Sequence, residues 1–124
     1  MPASHFEASV RYQQGVAVID LLGEVDTFAE QALGAVYAEA ASGDAAAVLL
    51  NFDRVGYMDS AGIALIVGLL AQARKSNRRL LACGLSDHYR EIFQITRLAD
   101  FIAIFPDEAS AIASARASAM ADGS

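Results

Sequence analysis

Runs of alternating, helical and continuous apolar residues follow one another along this chain, and their order predicts the fold. Phe6 to Tyr12 alternates loosely, Gln13-Gln14-Gly15 is turn material, and Val16-Ala17-Val18-Ile19-Asp20-Leu21-Leu22 is richer in branched apolar residues. Two such runs around a short polar turn predict an antiparallel hairpin whose second strand is the more central. Gly23-Glu24-Val25-Asp26 closes that strand. Asp26 and Thr27 are both suited to cap the next helix, because a short side-chain oxygen accepts from the free amides of a first turn. From Thr27 to Ala41 the apolar positions Phe28, Ala29, Leu33, Val36, Tyr37 and Ala40 recur at helical spacing. Gly34 costs this helix about 1 kcal/mol relative to alanine, and Ser42-Gly43-Asp44 stops it.

Ala47-Val48-Leu49-Leu50-Asn51-Phe52 is a near-continuous apolar run of strand length, the pattern of a strand covered on both faces. Strand, helix, strand in that order implies a right-handed crossover and a parallel pair. A short loop through Met58 then leads into an unusually apolar helix from about Ser60 to Lys75. Arg79 to Cys83 supplies another strand, ended by Gly84. Ser86 or Asp87 caps a helix through about Thr96, with Tyr89, Ile92, Phe93 and Ile95 as its buried side. Phe101 to Phe105 is a fifth strand. Pro106-Asp107-Glu108 opens the last helix, a favourable place for proline and for negative charge. Beyond Ala115 no periodic apolar face continues, so residues 116–124 are expected to fray. The predicted architecture is α/β: a single domain over residues 1–115, with a mixed sheet that begins as an antiparallel hairpin and continues as alternating helices and parallel strands.

Composition narrows the function more than it alters that picture. A chain of 124 residues buries the core of one domain unaided. Its apolar share of 55% is largely alanine, and its longest uncharged apolar stretch, Ala61 to Ala71, is well short of the ~20 residues of a membrane span. Met1-Pro2-Ala3-Ser4-His5-Phe6-Glu7 has no cationic flank leading into an apolar run, so a cytoplasmic protein is expected. Lone Cys83 excludes an intrachain disulfide and reads as a buried, inert thiol. A net charge of −6 argues against nucleic acid, whose phosphates need a positive footprint. The basic cluster Arg74-Lys75-Ser76-Asn77-Arg78-Arg79 sits where a helix ends and complements its dipole. Neither His5 nor His88 has a partner spaced for metal, and no glycine-rich phosphate loop is present, so no metal or cofactor is expected.

The chemistry concentrates at Asp59-Ser60-Ala61-Gly62, where the third strand gives way to the apolar helix. Serine or aspartate before an apolar run is most often an N-cap. A second reading makes Ser60 a phosphoryl acceptor, since a dianion at a helix N-terminus meets free amides and the positive end of the dipole. A catalytic serine is disfavoured, because the glycine two residues ahead that marks the hydrolase elbow is missing. No enzyme activity is expected of the chain itself. On a helical wheel Ile63, Ile66, Val67 and Leu70 cluster toward the sheet, and Ala61, Leu65, Gly68 and Gln72 lie opposite, with Ala64 at the border. That outward side holds no charge before Arg74. It is either a docking surface for another protein or a face buried within the domain or by a second copy, and periodicity leaves both open.

Taken together, Leu21-Leu22-Gly23-Glu24-Val25-Asp26 followed by Leu33, and Val48-Leu49-Leu50-Asn51-Phe52 followed by Tyr57-Met58-Asp59-Ser60-Ala61-Gly62-Ile63, resemble the STAS domain of bacterial anti-sigma-factor antagonists. The similarity runs from about Phe6 to Ala115. It implies a mixed sheet packed by helices, and a switch in which the unphosphorylated form binds an anti-sigma factor that is also a serine kinase and so frees the sigma factor. By position Ser60 is then the residue phosphorylated, and a metal-dependent serine phosphatase reverses the step. Asp59 and Gly62 shape its loop, and Asp26 with Thr27 lies on a neighbouring loop. Asp26, Thr27, Asp59, Ala61, Gly62, Ala64, Leu65 and Gly68 form the expected partner-binding set. Ala61 stands where many members carry a second serine, and Gly56 is less usual. Other members of the family are regulatory subunits of membrane transporters or larger signalling scaffolds without phosphorylation, which is the alternative.

Overall fold

The computed structural model describes residues 6–123. Met1–His5, on which the expected lack of a leader rests, lies outside the described residues, as does Ser124. The chain forms strands β1 (Glu7–Gln13), β2 (Val16–Val25), β3 (Ala47–Met58), β4 (Arg79–Cys83) and β5 (Ala103–Phe105), with helices α1 (Glu30–Ala41), α2 (Ser60–Lys75), α3 (Asp87–Ile95) and α4 (Glu108–Gly123). Strand order is β1-β2-β3-β4-β5. β1 and β2 are antiparallel, and every later neighbouring pair is parallel. The hairpin turns on Gln14 and Gly15, both at positive φ, which suits the right-handed twist of the strands it joins.

Alternation along the central strands divides two cores, because successive side chains leave a strand on opposite faces. Ala17, Ile19, Leu21, Val48, Leu50 and Phe52 point into the larger core, with Leu33 and Val36 of α1, Ile66 and Leu70 of α2, and Phe93 of α3. Val16, Val18, Ala47, Leu49, Leu81 and Cys83 point the other way and meet Ala111, Ile112 and Ala115 of α4, with Ala103 and Phe105 of β5 at the edge. The continuous apolar run of β3 therefore does mark a strand covered on both faces. Where α4 begins, Arg11 of β1 reaches both Asp20 of β2 and Glu108 of α4.

Several local expectations are corrected. Residues 53–58 are not a loop: β3 continues to Met58, paired with β2 as far as Val25. Two register shifts occur on the way, with Asp20 opposite Asn51 and Val25 opposite Met58, so β3 takes more residues than β2 over the same span, and Gly56 sits at the second irregularity. Phe28 is 64% exposed, because Thr27–Ala29 is a 3-10 turn rather than the start of α1, and its tighter winding turns the ring outward. Ile95 and Phe101 are exposed as well. Ile95 is the last residue of α3, and Phe101 ends a 3-10 turn ahead of a β5 that starts only at Ala103.

The basic cluster has a more particular role than dipole compensation. Arg74 and Lys75 are in the last turn of α2, and the Arg74 guanidinium lies 4.9 Å from the centre of the Phe101 ring. Arg78 closes a different helix. Its guanidinium donates to the carbonyls of Ala41, Gly43 and Ala45, supplying α1 with the C-terminal partner that its own last turn lacks.

Candidate functional site

The C-terminal ends of β2 and β3 lie side by side, and each leads into a turn of helix capped by an aspartate. Asp26 accepts from the amide of Phe28 at 2.9 Å. Asp59 accepts from the amide of Gly62 at 2.9 Å. Its own amide donates to the carbonyl of Val25 at 3.3 Å, and its carbonyl accepts from Ile63. The sequence left the cap of α2 open between aspartate and serine, and the structure assigns it to Asp59. Ser60 is the first residue of the helix, is exposed, and has no side-chain hydrogen bond among the described residues. The amides of Ser60 and Ala61 fall in the first turn, where a helix supplies no internal acceptor.

Gly62 explains how the junction comes so close to β2. A Cβ on Gly62 would lie 2.0 Å from the Val25 carbonyl oxygen and 2.8 Å from its carbon. The residue is buried. It forms the seat of the helix against β2. On the other side of the junction the amide of Met58 donates to the hydroxyl of Tyr89 at 2.8 Å, a buried bond from the last residue of β3 to the first turn of α3.

The rest of the predicted partner-binding set spreads over two elements and differs in access. Thr27, Ala64 and Gly68 are exposed, whereas Asp26, Asp59, Ala61 and Leu65 are half-buried. Leu65 packs against the main core. An open groove between α1 and α2 runs past Leu33, Gly34, Ala64, Leu65, Gly68 and Gln72. The helical wheel was out of phase on one flank: Val67, expected to face the sheet, is 46% exposed, while Leu69 is buried. With every position from Ala61 to Ala71 uncharged and apolar, α2 has no polar face to fix its rotation. The outward side is thus Ala64, Val67, Gly68, Ala71 and Gln72, uncovered by other parts of the described chain.

Carboxylates gather at the Ser60 end. Glu24, Asp26, Glu30 and Asp59 lie on the segments that converge there, and no lysine or arginine falls between Val16 and Asp53. Phe28 and Tyr57, 64% and 50% exposed, stand beside these carboxylates. Neither aromatic was singled out as a surface residue from the sequence. Tyr57 follows from the period-2 alternation only once β3 is extended to Met58, and Phe28 only once the first turn is seen to be 3-10. Among the described residues no cluster of His, Cys, Asp and Glu is arranged to hold a metal, and no helix is long and apolar enough to cross a membrane.

Several known proteins resemble this chain in sequence or in fold. An anti-sigma-B factor antagonist of Staphylococcus aureus is 31% identical over 80 residues, which are 64% of this chain and 74% of the relative. The solved structure of the anti-sigma factor antagonist SpoIIAA in its unphosphorylated form superposes with a TM-score of 0.69 at 25% identity, over 90% of this chain and 97% of that one. SpoIIAA from Bacillus in its phosphorylated form gives 0.66 at 26% identity, over 88% and 97%. A sulfate transporter family protein from Wolinella succinogenes shares the fold, with a TM-score of 0.73 at 18% identity over 86% and 88%. The family model of the STAS domain matches residues 7–111, and the chain belongs to the STAS domain family.

Proposed function

We propose that this protein is an anti-sigma-factor antagonist whose binding is switched off by phosphorylation of Ser60. The observation that carries the reading is the division of labour at the junction. Asp59 satisfies the helix end, which leaves the Ser60 hydroxyl exposed, unbonded among the described residues, and one residue from the cap. The named relative and the SpoIIAA structures in two phosphorylation states support it.

In this reading the unphosphorylated chain docks on an anti-sigma factor that is also a serine kinase, and the sigma factor is released. The kinase transfers the γ-phosphoryl group of ATP to Ser60 Oγ. The bond from the γ-phosphorus to the ADP oxygen breaks, the bond to Oγ forms, and the hydroxyl proton passes to a base on the kinase. The product carries about two negative charges at neutral pH. It sits where the Ser60 and Ala61 amides and the helix dipole favour an anion, so the domain tolerates it. Asp59 and Asp26 beside it repel the dianion, and a partner resting on the apolar side of α2 meets a newly unpaired charge at the edge of the contact, which is costly to desolvate. A metal-dependent serine phosphatase restores the hydroxyl by hydrolysis. The chain contributes the acceptor and the surface, and the catalytic groups belong to its partners.

The test is binding of the cognate kinase-type anti-sigma factor by Ser60→Ala and Ser60→Asp. Ser60→Ala is expected to bind like the parent, and Ser60→Asp to lose at least tenfold in affinity with an unchanged circular-dichroism spectrum. Equal binding by the two variants overturns charge gating. Incubation with ATP and the partner should add one phosphate to the parent's intact mass and none to Ser60→Ala.

A further inference from the structure

We infer that Tyr89 is a positioning residue for Ser60, and that through it α3 sets how the Ser60 junction is presented. The inference deepens the reading of Ser60 as the switched residue. β4 ends at Cys83, opposite Asn51, so the stretch of β3 from Phe52 to Met58 has a ladder partner on the β2 side only. Its amides on the far side need other acceptors, because an unpaired backbone donor out of water is costly. Asp53 takes the side chain of Asn51 at 3.0 Å. Met58, the last residue before Asp59 and Ser60, takes the hydroxyl of Tyr89 at 2.8 Å, and this bond is buried.

The phenol therefore stands in for a strand that has ended. It is held from both ends. Phe93, one turn further along α3 and fully buried, meets Phe52 of β3 edge-on with ring centroids 6.0 Å apart. The amide of Tyr89 is itself fixed by the side chain of Ser86, the N-cap of α3, at 3.3 Å. On the opposite flank Val25 accepts from Asp59 and abuts Gly62. The end of β3 is clamped between a backbone carbonyl on one side and a single side-chain hydroxyl on the other. Only the second can be removed without touching the backbone.

Tyr89→Phe deletes the oxygen and keeps the ring. The experiment reads the junction directly and uses no partner protein, so its failure is separate from a failure of the Ser60 switch. In a Ser60→Cys background, alkylation by iodoacetamide is followed against pH. Cys83 is buried and stays silent, and a cysteine at a helix N-terminus ionises below the ~8.5 of a free thiol. With Tyr89 present the midpoint of the alkylation profile is set by two opposing fields, the amides of the first turn lowering it and the nearby carboxylates raising it. With Tyr89→Phe added that midpoint should rise, as the first turn of α2 loosens and its aligned amides are lost while the carboxylates stay. Amide exchange at Met58 and Asp59 should speed up by roughly tenfold, on the scale of one lost buried hydrogen bond, while Leu49 and Leu50 in the same strand keep their protection.

The control is Tyr37→Phe. That buried hydroxyl makes no hydrogen bond to the junction among the described residues, so its loss should leave the alkylation profile and the junction amides where they were. An unchanged profile with Tyr89→Phe overturns the inference. So does a rise in exchange spread evenly along β3, which would make Tyr89 a packing residue like any other.

Discussion

The carbonyl oxygen of Val25 lies 2.0 Å from where a side chain on Gly62 would begin, so the second strand and the helix that carries Ser60 touch through backbone alone. That contact sets the height of the junction above the sheet. Gly62→Ala must push the first turn of α2 away, an overpacking penalty of about 3 kcal/mol, offset by about 1 kcal/mol of helix propensity. A net loss of about 2 kcal/mol is expected from urea midpoints. Gly68→Ala provides the opposite sign. It lies on the same helix with nothing within 4 Å of its absent side chain, so the same substitution should stabilise by up to about 1 kcal/mol.

How much of this was legible beforehand depends on whether a residue's role was local. The bounds of α2 and of β4 follow from their apolar runs and from the polar Ser76-Asn77-Arg78 between them. Asn77 adopts a positive φ there, as a residue ending a helix often does. The extension of β3 was hidden because Asp53, Arg54 and Gly56 look like a loop, and only the ladder to β2 makes them a strand. Ser60 and Asp59 were both visible, but which of them caps α2 was not, since either oxygen reaches the same amides. Tyr89 was read as an apolar residue of α3, correctly for its ring. Its hydroxyl acquires a purpose only where β4 stops short of the end of β3, a fact of tertiary structure.

Cys83 is predicted to be inert while the protein is folded. Burial in the α4-side core, helped by the carboxylates of Glu108 and Asp53, pushes its thiol up to about 12. A group with a raised folded pKa stays protonated through neutral pH, and the thiolate is the reactive form. Ellman's reagent at pH 8 should leave native protein unmodified and titrate one thiol in urea, where the ordinary value of ~8.5 returns. Rapid labelling of the native protein would contradict the burial.

Arg11 should matter to stability above pH 4 and little below it. Its guanidinium holds the Asp20 carboxyl below the usual range, with a smaller contribution from the Asn51 side chain, and it also binds Glu108. A carboxylate whose folded pKa is depressed stabilises above its unfolded value of ~3.9 and loses that contribution as pH falls through the folded value. The side chains are partly exposed, at 39% for Arg11 and 32% for Asp20, so the network contributes roughly 1 kcal/mol. Arg11→Met is expected to lower the urea midpoint at pH 6, with the gap to the parent closing as pH drops below about 4. A gap of the same size at pH 2.5 would make Arg11 a packing residue.

The two oxygens at the head of α2 should separate cleanly in stability. Asp59 makes the capping bond to Gly62, so Asp59→Ala should cost about 1 kcal/mol, and Asp59→Asn much less, since asparagine caps nearly as well. Ser60 makes no such bond among the described residues, and its replacement by alanine should fall within about 0.5 kcal/mol of the parent. Urea midpoints of the three variants test this without any partner. If Ser60→Ala were the costlier change, the serine would be the cap and its hydroxyl would not be free for modification. In the expected order, the helix keeps its cap whether or not Ser60 carries a phosphate. Loss of docking in Ser60→Asp could then be assigned to charge at the surface rather than to unravelling of the helix beneath it.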